Sequence, residues 1–174
     1  MKSGQKGYTL IELLIAVAIL GAASTAIFGG TFQVIRNTET NSNRMTSILQ
    51  VQYTGNKIGT DVHMAQTIQT AANLTAPDFL ELTWVEASTG DRYEITYTFQ
   101  DMDSGSMKKL VRRQSVNDTD NSTFYISQYI DSSGDMTTCN YTDGIFNLKV
   151  TAAVGTGMLG HTETRLYRVF PRPG

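Results

Sequence analysis

The side chains able to do chemistry in this 174-residue chain are few and scattered. Its two histidines, His63 and His161, form no H-x-x-x-H pair and join no His/Cys cluster, so they lack the spacing of a zinc site and read as solvent-exposed. Cys139 is the only cysteine, which excludes an intrachain disulfide. Nothing beside it would lower its pKa or supply a general base, so it reads as an ordinary thiol in a polar loop, able to cross-link only between chains. The G-x-G at 155–157 falls between expected strands and not ahead of a helix, where a phosphate loop would lie. There is neither a G-x-S-x-G elbow nor a carboxylate pair in a convincing context. Asp101-Met102-Asp103-Ser104-Gly105 begins as a calcium loop does but lacks the spacing and the closing glutamate. Asp118, Asp120, Asp131, Asp135 and Asp143 lie among Asn, Ser and Thr and read as solvated turns. The expectation is a non-enzyme with no catalytic residue, no cofactor and no metal.

Two constellations remain. Lys108, Lys109, Arg112 and Arg113 form a basic cluster whose strand spacing puts Lys108 and Arg112 on one face and Lys109 and Arg113 on the other. A nucleic-acid patch would combine such charges with exposed aromatics. Charge protection of an edge strand is the favoured reading. With 14 Lys+Arg against 16 Asp+Glu the net charge is −2, so nucleic acid is an unfavoured partner. The second constellation is Glu12, placed just before Leu13–Ile35, 23 residues without a charged side chain. An ionisable group at the edge of an apolar span is costly and marks a function with a partner. No Lys or Arg follows within a helical turn, so a charge from another molecule is the natural partner. One candidate is a new α-amino group, made if the chain were cut just before Tyr8.

As a helix of about 1.5 Å rise per residue, the run spans roughly 35 Å, enough to cross a bilayer core with some tilt. Lys2 and Lys6 precede it, which favours a cytoplasmic N-terminus and an extracytoplasmic remainder. A secretory signal peptide, cut near Ala22-Ala23-Ser24, is the competing reading. The run is long for such a peptide, and no A-x-A pattern closes it.

The phrase Lys6-Gly7-Tyr8-Thr9-Leu10-Ile11-Glu12-Leu13-Leu14-Ile15-Ala16 resembles the class III signal of type IV pilins and type II secretion pseudopilins. The resemblance implies a prepilin peptidase that cuts after Gly7 and methylates the new N-terminal amine of Tyr8, an aromatic standing where the family usually has Phe. Glu12 then falls at the fifth mature position, where the family has its glutamate, and would pair with the Tyr8 ammonium of a neighbouring subunit inside the membrane. In low dielectric a paired charge is tolerated and an unpaired one is penalised, so the pair would set register between subunits. Implied partners are other pilin or pseudopilin subunits, the peptidase, an inner-membrane assembly platform and membrane lipid.

The elements that must position these residues divide into a leader at 1–7, a transmembrane half-helix at 8–35 and an extracytoplasmic domain at 36–174. The helix is expected to run to about 70, with an apolar stripe at Met45, Ile48, Val51, Ile58, Val62, Ala65 and Ile68. Gly55 and Gly59, four apart, mark a place where another element approaches closely. Period-two alternation predicts strands at 79–87, 93–100, 107–114, 124–130, 145–154 and 162–170, with a long loop at 131–144. Helix first and antiparallel strands after it reads as α+β, the type IV pilin-like fold. Tyr93–Gln100, Leu110-Val111-Arg112-Arg113 and Val169-Phe170-Pro171-Arg172 resemble phrases of the J-type minor pseudopilins and related minor pilins. The function expected is a minor pilin or pseudopilin near a filament tip, with a DNA-binding competence pilin or surface adhesin on the same scaffold as the alternative.

Overall fold

A computed structural model describes residues 9–103 and 105–172. The chain divides into two units, Met1–Asn41 and Ser42–Gly174. One helix, α1 (Leu10–Met64), contributes to both.

In the first unit α1 carries no charged side chain from Leu13 to Ile35, and its large side chains from Leu10 to Ile35 are all exposed. Its hydroxyls are satisfied within the helix: Ser24 Oγ donates to Leu20 O (2.7 Å), Thr25 Oγ1 to Ala22 O (2.8 Å), Thr31 Oγ1 to Ile27 O (2.9 Å) and Thr38 Oγ1 to Val34 O (2.9 Å). Such bonding leaves these hydroxyls without need of water, the condition a lipid environment sets. A Cβ added at Gly21, Gly29 or Gly30 would meet nothing within 4 Å among the described residues.

The second unit builds its core between the remaining turns of α1 and a sheet. The strands are β1 (Thr67–Thr70), β2 (Asp78–Val85), β3 (Arg92–Asp101), β4 (Lys108–Val116), β5 (Asp120–Ile130), β6 (Thr138–Thr142), β7 (Ile145–Val154) and β8 (His161–Val169). All pairings are antiparallel, in the order β1-β2-β3-β4-β5-β7-β6, with β8 also on β7. The sheet curls, bringing β6 against β1, with Cys139 Sγ 3.5 Å from Phe79 O at the start of β2. One long apolar helix followed by an antiparallel, curled sheet is the α+β arrangement of the type IV pilin fold.

On β3 Ile95 and Tyr97 are fully buried, and Phe99 packs against the same core. Val51, Ile58 and Val62 of α1 meet it together with Leu80, Leu82 and Phe146. Met45, expected on that stripe, is instead exposed, and the buried helix face continues through Ser47, Thr54 and Asp61. Gly55 and Gly59 do lie under β8: the ring of Tyr167 occupies the space a Cβ on Gly55 would take, and Val169 Cγ2 would be 3.7 Å from one on Gly59. Tyr167 is held there by its hydroxyl, which donates to Val51 O (3.0 Å).

Three expected boundaries change. The helix ends at Met64, six residues before the expected end, because Thr67–Thr70 pairs with Leu80–Thr83 as β1. Strands β4 and β5 extend toward each other to a tight turn in which Asn117 and Asp118 both take positive φ (51° and 58°). The expected loop 131–144 contains β6, joined to β7 by Asp143-Gly144 at φ 53° and 75°. That dipeptide suits a two-residue hairpin, because both positions tolerate the left-handed conformation.

Candidate functional site

Of the three N-terminal residues singled out, Gly7 and Tyr8 lie outside the described residues. Glu12 stands in the first turn of α1 and has a partner in its own chain. Thr9 N–H donates to Glu12 Oε2 (2.8 Å), as does Thr9 Oγ1 (2.9 Å), while Glu12 N–H donates to Thr9 Oγ1 (3.3 Å). This is a reciprocal capping box, which satisfies backbone donors at the helix start that lack an intrahelical acceptor. The T-x-x-E spacing ahead of an apolar run is its sequence signal, and reading Glu12 for charge alone passes over it. Both residues are exposed, so the carboxylate keeps access to another molecule while it holds the start of the helix.

The four residues of the basic cluster do not share one environment. β4 lies inside the sheet between β3 and β5, so protection of an edge strand does not explain its charges. Lys108 pairs with Asp101 across the β3–β4 hairpin, and Lys109 lies 3.8 Å from Asp103. Arg112 is only 5 % exposed and points into the core, where its Nε donates to Asp61 Oδ2 (2.6 Å) and its Nη1 to Gln114 Oε1 (2.9 Å). Arg113 alone of the four is exposed. Arg112 is thus buried, Lys108 and Lys109 have carboxylates beside them, and only Arg113 of the four is both exposed and without one among the described residues.

Asp61 is the residue that pattern reading missed. Its carboxylate is buried on the sheet side of α1 and also accepts from Tyr97 Oη (2.6 Å) and, on Oδ1, from Lys57 Nζ one helical turn earlier (3.2 Å). Burial, and next the negative charge of Asp61, raise the pKa of the Tyr97 phenol. The network ties α1 to β3 and β4 by charge-assisted bonds and leaves no member unsatisfied, so its character is structural.

The other chemical candidates resolve in the same way. His161 is half-buried with Nδ1 2.8 Å from Ser47 Oγ, a packed position in place of the exposed one expected, whereas His63 is exposed on α1. Cys139 lies on β6 and not in a loop, and burial pushes its thiol up to about 12, which opposes thiolate chemistry and cross-linking. Among the described residues no three His, Cys, Asp or Glu side chains gather as metal ligands. Asp118 and Asp143 are turn residues at positive φ, and Asp131 accepts from Ser133 N–H (2.9 Å) and Oγ (2.6 Å).

The family profile of the prokaryotic N-terminal methylation motif matches residues 2–28. The match covers Gly7, Tyr8 and Glu12, and this motif indicates a prepilin-type substrate of a prepilin peptidase. The apolar start of α1 fits anchoring in the inner membrane. No curated protein matches the chain, and no solved structure does.

Proposed function

We propose that this chain is a minor pilin or pseudopilin, a structural subunit of a type IV pilus or a type II secretion pseudopilus. In this reading residues 1–7 form a cytoplasmic leader, 8–35 cross the inner membrane and 36–174 lie outside it. Cleavage follows Gly7, Tyr8 becomes the N-methylated terminus, and the subunit joins the filament near its tip through an inner-membrane assembly platform. The observation that carries the reading is the methylation motif over residues 2–28, which runs into an apolar, lipid-compatible helix. A multi-stranded domain of this size suits a minor subunit and J-type architecture.

The test is co-expression with a prepilin peptidase followed by intact mass and N-terminal sequencing. The wild-type chain is expected to lose residues 1–7 and gain one methyl group on Tyr8. Gly7→Leu is expected to remain uncleaved, because a branched side chain replaces the bare Cα at the cut. Processing of that variant at the wild-type rate would overturn the assignment.

A further inference from the structure

Two cations without a carboxylate partner among the described residues, Lys149 and Arg168, lie together on one face of β7 and β8, away from the cluster on β4. There a cavity of about 550 Å³ is lined by residues of β6, β7 and β8 that include Thr138, Asn140, Asn147, Lys149, Leu166 and Arg168. That volume is within the range of about 300–1,000 Å³ that holds specific ligands. The pairing register explains the arrangement. Asn140 is opposite Asn147 and Asn147 opposite Arg168, while Thr138 is opposite Lys149 and Lys149 opposite Leu166. Two cross-strand rows therefore stand side by side on one face, and Lys149 and Arg168 are diagonal neighbours, within reach of one short acidic segment.

We propose that this groove docks an acidic segment of a partner polypeptide, with Arg168 and Lys149 receiving its carboxylates. Charge complementarity carries the inference. Lys149 and Arg168 have no carboxylate within 4 Å among the described residues; Arg36, Arg44, Arg92, Arg113 and Arg172 have none either, but only Lys149 and Arg168 line this groove as diagonal neighbours. Lys149 is half-buried and Arg168 exposed, both on the face that the groove opens. Arg168 is oriented in advance: its Nε donates to Asn147 Oδ1 (3.4 Å), and Asn147 is in turn fixed by Nδ2 donating to Asn140 Oδ1 (3.1 Å). A guanidinium held through Nε keeps both Nη groups for bidentate contact with a carboxylate. Leu166, 79 % exposed and opposite Lys149, gives the docked segment an apolar edge. A nucleic-acid strand fits less well. The groove has no exposed aromatic for base stacking, since Tyr167 turns its ring inward onto Gly55, and the chain is net negative.

The test uses the full chain in dodecyl maltoside, with fluorescein-labelled tetraglutamate and its tetraglutamine counterpart as probes, read by fluorescence anisotropy at low ionic strength. Saturable binding of tetraglutamate and none of tetraglutamine is expected. Arg168→Gln and Lys149→Gln are each expected to weaken binding about tenfold, the loss of one charge-assisted contact. Arg113→Gln, which removes an exposed cation elsewhere on the sheet, is expected to leave binding unchanged. The same affinity in the Arg168→Gln/Lys149→Gln double variant, or no binding of tetraglutamate at all, would overturn the proposal. So would tighter binding of an oligothymidylate that depends on the same two residues, because it would assign the groove to phosphate.

Discussion

Asp61 gathers three donors, from Arg112, Tyr97 and Lys57, on one buried carboxylate. Breaking such a pair from one side leaves an uncompensated charge in the core, which is worse than having no pair. Asp61→Ala is therefore expected to destabilise the chain by about 3–5 kcal/mol, while Asp61→Leu with Arg112→Met recovers most of it. Urea unfolding followed by circular dichroism checks both, and equal losses in the single and double variants would contradict the argument. Alkaline pH tests the burial of two ionisable groups, the Cys139 thiol and the Tyr97 phenol. The Cys139 thiol, ordinarily at 9.0, is pushed up to about 12 by burial in the folded chain. A group whose folded pKa is raised contributes stability that is fully present below its unfolded value and is lost as pH climbs toward the folded one. The melting temperature is thus expected to begin falling near about pH 9 and to keep falling toward about pH 12, with Tyr97 adding to the decline from about pH 10. Cys139→Ala is expected to make that decline shallower. Identical slopes in thermal melts of the two proteins would show that the thiol is not part of it.

At the scale of elements, the contact of α1 with β8 separates two glycines that look alike in sequence. Replacing glycine by alanine inside a helix gains up to about 1 kcal/mol. At Gly59 the new methyl would stand 3.7 Å from Val169, an ordinary contact, so Gly59→Ala is expected to stabilise by about 0.5–1 kcal/mol. At Gly55 it would enter the ring of Tyr167, whose hydroxyl is tethered to Val51 O, and overpacking of about 1–3 kcal/mol outweighs the gain. Gly55→Ala should lower the melting temperature and Gly59→Ala raise it; a shift of the same sign in both would remove the argument. The glycine pair and the helical repeat of Ile58 and Val62 are local features, legible in the order of residues alone. The hairpin at Asp143-Gly144 is legible too, but the polar residues of β6 ahead of it disguise the strand. The end of α1 is not legible, because no glycine or proline stands between Thr60 and Thr70 and pairing with β2 decides it. Nor is the burial of Arg112, whose partner is 51 positions earlier in the chain.

At the scale of the whole molecule, the sequence joins segments suited to two solvents, and Glu12 stands where the first begins. If the leader is removed, Lys2 and Lys6 go with it, leaving 12 basic against 16 acidic side chains, and Glu12 is the one acid placed in the apolar segment. In the structure that acid caps its own helix through Thr9, so two roles compete to explain it: starting the helix and offering a charge to a neighbouring subunit. A pair of substitutions tells them apart. Glutamine can complete a capping box as glutamate does, so Glu12→Gln keeps the cap and removes only the charge. Thr9→Val removes the cap, at about 1 kcal/mol, and keeps the charge. If charge pairing with the new amine of a neighbour sets register, Glu12→Gln and Glu12→Ala are both expected to be inserted and cleaved normally yet to be nearly absent from sheared filaments. Thr9→Val should assemble at close to the wild-type level. Immunoblots of membrane and sheared fractions read all three. Normal assembly of Glu12→Gln alongside failure of Thr9→Val would reverse the conclusion, making the helix start, and not the charge, the reason for a glutamate at this position.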